Sequence, residues 1–282
     1  LRLSAVFLMI LTAVSFVLLP KLPALHTWEV EAREERIAEE EFAQSQVTMQ
    51  NLKIKEQNEA AGAKGELSIR LPEGVTGDQI AVSNDYVTQT IRVEIPQADR
   101  TYFDSYPVLG KSDYIDGLSY TRQGEMGVIE VTTNKVYELQ TEYDAQNFYF
   151  NFLTPHEVYD KVVVIDAGHG GRAVGANKQG INEKDIDLAI VLKLKEIFDN
   201  SDQNIGVYYT RTDDSNPTFD QRVQLANKSD ADLFISIHNN STRSGRMSGT
   251  SGTQVMYDET SEASRQFAQI CLEEVTGRIG SR

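Results

Sequence analysis

In the second half of the chain, continuous apolar runs alternate with apolar positions spaced for helices. Val162-Val163-Val164-Ile165-Asp166 reads as a buried strand that runs into Ala167-Gly168-His169-Gly170-Gly171. Residues 182–199 carry Ile186, Leu188, Ala189, Val191, Leu192, Leu194 and Ile197 at helix-compatible spacing. A second strand is expected over 207–210. A helix is expected over 217–227, with Asn216 as its N-cap and Pro217 at its first position. Residues 233–238 and 252–257 give a third and fourth strand, and 261–276 a last helix. Near-continuous apolar strands separated by helices predict an α/β domain over 154–282 with a mostly parallel sheet flanked by helices.

The pattern differs upstream. Between residues 66 and 153 the apolar positions alternate, as in Leu67-Ser68-Ile69-Arg70-Leu71, Ile91-Arg92-Val93-Glu94-Ile95 and Val128-Ile129-Glu130-Val131. Val136-Tyr137-Glu138-Leu139 and Phe148-Tyr149-Phe150-Asn151-Phe152 continue it, with turn signals at Gly124-Glu125-Met126-Gly127 and Thr133-Asn134-Lys135. These strands predict a small all-β, sandwich-like domain. Its Tyr and Phe residues suit either a sugar-binding face or, as is more usual, core and cross-strand pairs.

Residues 3–19 are almost wholly apolar, with Arg2 before them and Lys21 after. The run sits at the short limit of a membrane-spanning helix of about 17–25 residues and no Ala-x-Ala site follows it. An N-terminal membrane helix within residues 1–25 is expected; a cleaved signal or a buried core helix are the alternatives. Residues 26–65 are rich in glutamate, including Glu29, Glu31, Glu34, Glu35, Glu39, Glu40 and Glu41. They suit a stalk or short coiled coil, or more plainly a solvated spacer helix or disordered linker.

Composition narrows the function. The formal net charge of −15 over 282 residues excludes nucleic acid as a natural partner, because clustered Lys and Arg supply that affinity. It also disfavours electrostatic binding to anionic lipid. Cys271 is the only cysteine, so no intrachain disulfide is possible.

The candidate chemistry lies at the strand ends. The chain has four histidines, and two of them, His169 and His238, end predicted strands. In open α/β sheets that edge is where sites form. Glu183 opens the intervening helix. Two imidazoles and a carboxylate with an open fourth position make a catalytic zinc set, in which the pKa of water falls to about 7. Each residue also has a plainer role: a turn histidine, a satisfied core histidine, and a glutamate favoured by the helix dipole. His26 and His156 lie in linker-like sequence.

Asp166-Ala167-Gly168-His169-Gly170-Gly171, then Asn182-Glu183-Lys184-Asp185, then Ser236-Ile237-His238-Asn239-Asn240 resemble the zinc-dependent N-acetylmuramoyl-L-alanine amidases of bacterial cell walls. Arg211 in Tyr209-Thr210-Arg211-Thr212-Asp213 and Arg222 in Asp220-Gln221-Arg222-Val223 fall in the family's order too. Proline is common in the family where this chain has Ala167. The resemblance covers roughly residues 161–282 and implies one Zn2+ held by His169, Glu183 and His238. It implies hydrolysis of the amide between N-acetylmuramic acid and L-alanine in peptidoglycan, outside the cytoplasm, by a membrane-anchored or secreted protein. The family's catalytic glutamate lies in a later Val-Glu-x-Gly-Phe-like motif, which does not occur up to Arg282. The chain also starts at Leu1. A C-terminally truncated piece, with its general base beyond Arg282, is therefore expected.

Around the ligands, Asp166 suits orientation of His169 or a turn cap. Arg211 and Arg222 suit substrate anions or structural ion pairs. Asn239 and Asn240 suit the cleft wall or a strand-to-loop turn, and residues 241–251 a substrate-entry lid or plain loop. A catalytically silent wall-binding module and a zinc peptidase on a related peptide are the competing functions.

Overall fold

The computed structural model describes residues 6–12, 23–45, 49–56, 64–239 and 252–279. The chain divides into two compact units, Val47–Asp160 on one hand and Leu1–Gln46 with Lys161–Arg282 on the other.

The Val47–Asp160 unit contains two five-stranded sheets. One runs in the order Glu138–Tyr143, Asn147–Leu153, Leu67–Arg70, Leu109–Gly110, Lys55–Glu56. The other runs Gln50–Asn51, Ile115–Gln123, Met126–Thr133, Thr90–Pro96, Ala81–Asp85. Pairing is antiparallel except between Lys55–Glu56 and Leu109–Gly110. Alternation decides which face is buried. Thr90–Pro96 turns Ile91, Val93 and Ile95 inward, and Asn147–Leu153 turns in Phe148, Phe150 and Phe152. Both rows enter one hydrophobic core, so the unit is a sandwich. The phenylalanines of this unit's last strand are thus core residues. Tyr143 is exposed and stacks on Phe148 with its ring 7° from parallel.

The sequence pattern missed Ala81–Asp85 and Ile115–Gln123. The first has little apolar content, and the second interleaves its apolar residues with Gly117, Ser119 and Thr121. Two short strands, Gln50–Asn51 and Lys55–Glu56, come from the stretch expected to be linker.

The other unit is α/β. Its sheet runs Ile205–Tyr209, Lys161–Ala167, Leu233–Asn239, Val6–Thr12, Gln254–Tyr257. The first four strands are parallel and the last is antiparallel to Val6–Thr12. Lys161–Ala167 and Leu233–Asn239 pair Ile165 with Ile235 and Ala167 with Ile237. That register brings His169 and His238 to the same edge. The helices are Pro23–Ser45, Glu183–Asp199, Phe219–Lys228 and Glu262–Ile279. Val191 of the Glu183–Asp199 helix packs on Ile165, Ala167 and Ile237, which fixes where that helix begins relative to the strand ends.

Two expectations are corrected here. Val6–Thr12 lies inside the run expected to form a membrane helix, yet it is a strand of this sheet. A short apolar run fits a buried parallel strand as well as a helix, and periodicity alone does not separate them. Among the described residues no helix is long and apolar enough to cross a membrane. The second correction concerns the Phe219–Lys228 helix, which is capped by Thr218 rather than Asn216. The Thr218 hydroxyl accepts from the Gln221 N–H at 3.2 Å, and the Gln221 side chain accepts from the Thr218 N–H at 2.9 Å. This capping box satisfies two N–H groups at the helix start, which Asn216-Pro217 could not.

Phe150 is fully buried between the sheets. Phe150→Ala is expected to lower the stability of the sandwich by about 3–5 kcal/mol. Tyr143→Ala, which removes a half-exposed ring stacked on Phe148, should cost less, about 0.5–1.5 kcal/mol. Urea unfolding of the two variants checks the difference.

Candidate metal centre

The centre is built on the loop that leaves the Lys161–Ala167 strand. The Gly168 N–H donates to the Ile237 carbonyl at 3.0 Å and extends the strand pairing one residue beyond the sheet. A Cβ on Gly168 would overlap the His238 ring, so only glycine lets that imidazole lie against the loop. His169 itself has φ +59, a left-handed conformation uncommon for a residue with a side chain. Gly175, with φ +65, passes so close that a Cβ would strike both the His169 ring and Glu183.

This backbone brings three ligand atoms together. His169 Nε2 lies 3.2 Å from Glu183 Oε1 and 3.2 Å from His238 Nδ1, and His238 Nδ1 lies 3.3 Å from Glu183 Oε1. The triangle is nearly equilateral. Zinc bonds of about 2.0–2.1 Å at tetrahedral angles put ligand atoms about 3.3 Å apart. The donor set and its spacing therefore fit a tetrahedral ion with one position left open.

Glu183 is fixed from behind. Its Oε1 accepts from the Asn239 N–H at 2.7 Å, and its Oε2 from the Ala176 N–H at 2.8 Å. Burial would raise its carboxyl, but the two imidazoles and these N–H groups hold it well below the usual carboxylate range. Burial likewise opposes a charge on His169, and the Glu183 and Glu34 carboxylates outweigh it, raising that imidazole to about 9. Metal binding at His169 therefore competes with a proton.

The sequence reading missed Asp187. It lies one turn after Glu183 on the same helix face, with a ligand atom within 4.8 Å of those of the other three residues. Its Oδ1 accepts from the Asn239 side-chain amide at 2.7 Å, and its Oδ2 is buried with no hydrogen-bond partner among the described residues. Burial, opposed by His238 and Asn239 and reinforced by Glu183, pushes this carboxyl up to about 7. The signal was present: Glu183 and Asp187 are the two carboxylates spaced i, i+4 in that helix.

Asp166, Arg211 and Arg222 are buried beneath the loop. Arg222 pairs with Asp166 Oδ1 at 2.5 Å and donates to the carbonyls of Ala167, His169 and Pro217 at 2.7, 2.8 and 2.9 Å. Arg211 donates to the carbonyls of Ala167, Gly168, Asp213 and Lys184 at 3.0, 2.6, 2.9 and 2.9 Å. Both guanidinium groups are committed to the protein's own backbone rather than turned to a substrate. Asp166 also accepts from the hydroxyls of Thr210 at 2.6 Å and Ser236 at 2.5 Å, and does not touch a nitrogen of His169. Asn239 lines the centre through both its N–H and its amide. Asn240 and residues 241–251 lie outside the described residues.

Residues 163–282 match the family model for N-acetylmuramoyl-L-alanine amidase. That segment belongs to this family. Among curated proteins, the endolysin of Bacillus phage SPP1 is 45% identical over 86 residues, 30% of this chain and 31% of the endolysin. N-acetylmuramoyl-L-alanine amidase CwlM of Bacillus licheniformis is 34% identical over 113 residues, 40% of this chain and 43% of that protein. The chain thus spans less than half the length of these two relatives. Among solved structures, the catalytic domain of CwlV, an N-acetylmuramoyl-L-alanine amidase from Bacillus (Paenibacillus) polymyxa var. colistinus, shares 37% identity over 39% of this chain and 59% of that one, with a TM-score of 0.34.

The buried pair generates two expectations. Arg222→Met leaves the Asp166 carboxylate without its cation, and urea unfolding should show a loss of about 3–5 kcal/mol. Burial alone would raise Asp166, but Arg222 and the two hydroxyls bring it down to about 2, against about 3.9 in an unfolded chain. A carboxyl depressed in the folded state stabilises fully above the unfolded value. This contribution, about 2–3 kcal/mol, should fade as pH falls from about 4 to about 2. A titration of stability against pH checks it, and in Arg222→Met this fall should shrink or reverse, because its onset is set by the unfolded carboxyl and only the folded value rises.

Proposed function

We propose that the α/β unit is a zinc-dependent amidase. It hydrolyses the amide between the lactyl group of N-acetylmuramic acid and the first L-alanine of the peptidoglycan stem peptide. The observation that carries this reading is the 3.2–3.3 Å triangle of His169 Nε2, Glu183 Oε1 and His238 Nδ1, set in a segment of the amidase family. A silent wall-binding module would have no need for three converging ligands.

His169, Glu183 and His238 would hold one Zn2+. When bound, the ion supplies Lewis-acid polarisation of the scissile carbonyl and lowers the pKa of water at the site to about 7. The chain's own residues supply rigidity. Asn239 and Ala176 keep Glu183 turned toward the imidazoles, and Arg211 and Arg222 keep the His169 loop from relaxing. Glycopeptide recognition by an acidic protein then rests on uncharged hydrogen bonds and shape. A carboxylate general base would take a proton from water and return it to the leaving amine. The protein would act outside the cytoplasm, where peptidoglycan lies. The membrane anchor read from residues 3–19 is not part of this proposal, because Val6–Thr12 is a strand of the sheet.

Metal analysis and release of stem peptides from purified sacculi test the proposal on the whole protein. One zinc per chain is expected, with activity that is lost on chelation and restored by zinc. His238→Ala should lower zinc affinity by more than the roughly 10–100-fold typical of losing an outer partner. Chelator-insensitive activity, or a zinc content unchanged in His238→Ala, would contradict it.

A further inference from the structure

The Pro23–Ser45 helix belongs to the acidic stretch that sequence reads as a spacer, yet Glu34, Glu35, Glu40 and Glu41 make contacts around the metal loop. Glu34 Oε2 lies 3.0 Å from His169 Nδ1, with both side chains largely buried. Glu35 accepts from the N–H of Phe219, the first residue of its helix, at 2.7 Å. Glu41 accepts from the Arg172 N–H and Nε, both at 3.0 Å, and from Asn216 Nδ2 at 3.1 Å. Glu40 reaches Arg172 at 3.3 Å. Glu34, Ala38 and Glu41 share one helix face, and Ala38 is buried. The contacts fall on Arg172, three residues after His169, and on Asn216 and Phe219 at the start of the Phe219–Lys228 helix.

The two nitrogens of His169 are used differently. Nε2 points at Glu183 and His238, and Nδ1 points away from them at Glu34. An ionised carboxylate only accepts hydrogen bonds, so this contact requires hydrogen on Nδ1. A neutral imidazole with hydrogen on Nδ1 presents its Nε2 lone pair, and that atom is a vertex of the ligand triangle. We propose that Glu34 is a positioning residue for the metal centre: the N-terminal helix supplies the carboxylate that fixes the tautomer and ring orientation of His169 for metal binding. The proposal rests on the zinc reading above and adds a contributor well outside the segment that matches the amidase family. Because Glu34 meets the outer nitrogen, it supports the ligand rather than competing for the metal. Carboxylates in this place raise ligand basicity and are worth about 10–100-fold in metal affinity.

The test is zinc affinity of the 282-residue chain, by competition with a chromophoric chelator, for wild type, Glu34→Ala, Glu34→Gln and the exposed control Glu39→Gln. Glu34→Ala should bind zinc 10- to 100-fold more weakly, with Glu34→Gln between it and wild type because the amide oxygen still accepts from Nδ1. Glu39→Gln should match wild type, and Glu34→Gln should still unfold in a single cooperative urea transition, which shows that it folds. Equal affinity in wild type and Glu34→Ala would overturn the positioning role while leaving the zinc reading intact. Tighter zinc binding in Glu34→Ala would also overturn it, marking the helix as an obstruction. No zinc binding by wild type itself would overturn both readings, a result distinct from the other two.

Discussion

Two buried guanidinium groups hold the backbone that presents His169. Arg211 and Arg222 together contact the carbonyl of every residue from Ala167 to His169, and Arg222 is neutralised by Asp166 at the end of the strand. Three consecutive carbonyls that leave a sheet would otherwise be unpaired or wet. Here they are turned inward to charged donors, which are stronger partners than neutral ones. The left-handed His169 and the close approach of Gly168 to His238 are tolerated because this clamp over-determines them. The cost of burying Asp166 is offset by a cation and two hydroxyls.

The ligand triangle follows from that constraint and from strand register. Lys161–Ala167 and Leu233–Asn239 deliver the two imidazoles to one edge, and the Glu183–Asp199 helix, packed through Val191 on the same strands, delivers the carboxylate. Each ligand rests on a different element. The spacing of 3.2–3.3 Å is therefore a property of the whole unit, held by a sheet, a helix and a clamped loop before any ion arrives.

Much of this was legible in the sequence. Val162-Val163-Val164-Ile165 and Leu233-Phe234-Ile235 announced buried strands because a parallel sheet is covered on both faces. Gly-His-Gly-Gly after an aspartate announced a loop with unusual backbone demands. The alternation at Ile91, Val93 and Ile95 announced a half-buried sheet. Other features were hidden for physical reasons. Residues 6–12 are apolar on both faces, which suits a membrane helix and a buried strand alike. The glutamates at 34, 35, 40 and 41 look solvated, since their partners, His169, Arg172, Asn216 and Phe219, lie more than a hundred residues away in sequence. Asp187 carried one cue, its i, i+4 spacing from Glu183, which marks a shared helix face but not burial. Arg211 and Arg222 lie beneath the loop, and only their burial shows that they face the backbone.

Zinc K-edge X-ray absorption on protein loaded with one equivalent of metal tests the central claim most directly. The account predicts a four-coordinate ion with two imidazole nitrogens and carboxylate oxygen at about 2.0–2.1 Å, and loss of one imidazole contribution in His169→Ala. A six-coordinate oxygen shell without imidazole, or a spectrum unchanged in His169→Ala, would contradict it.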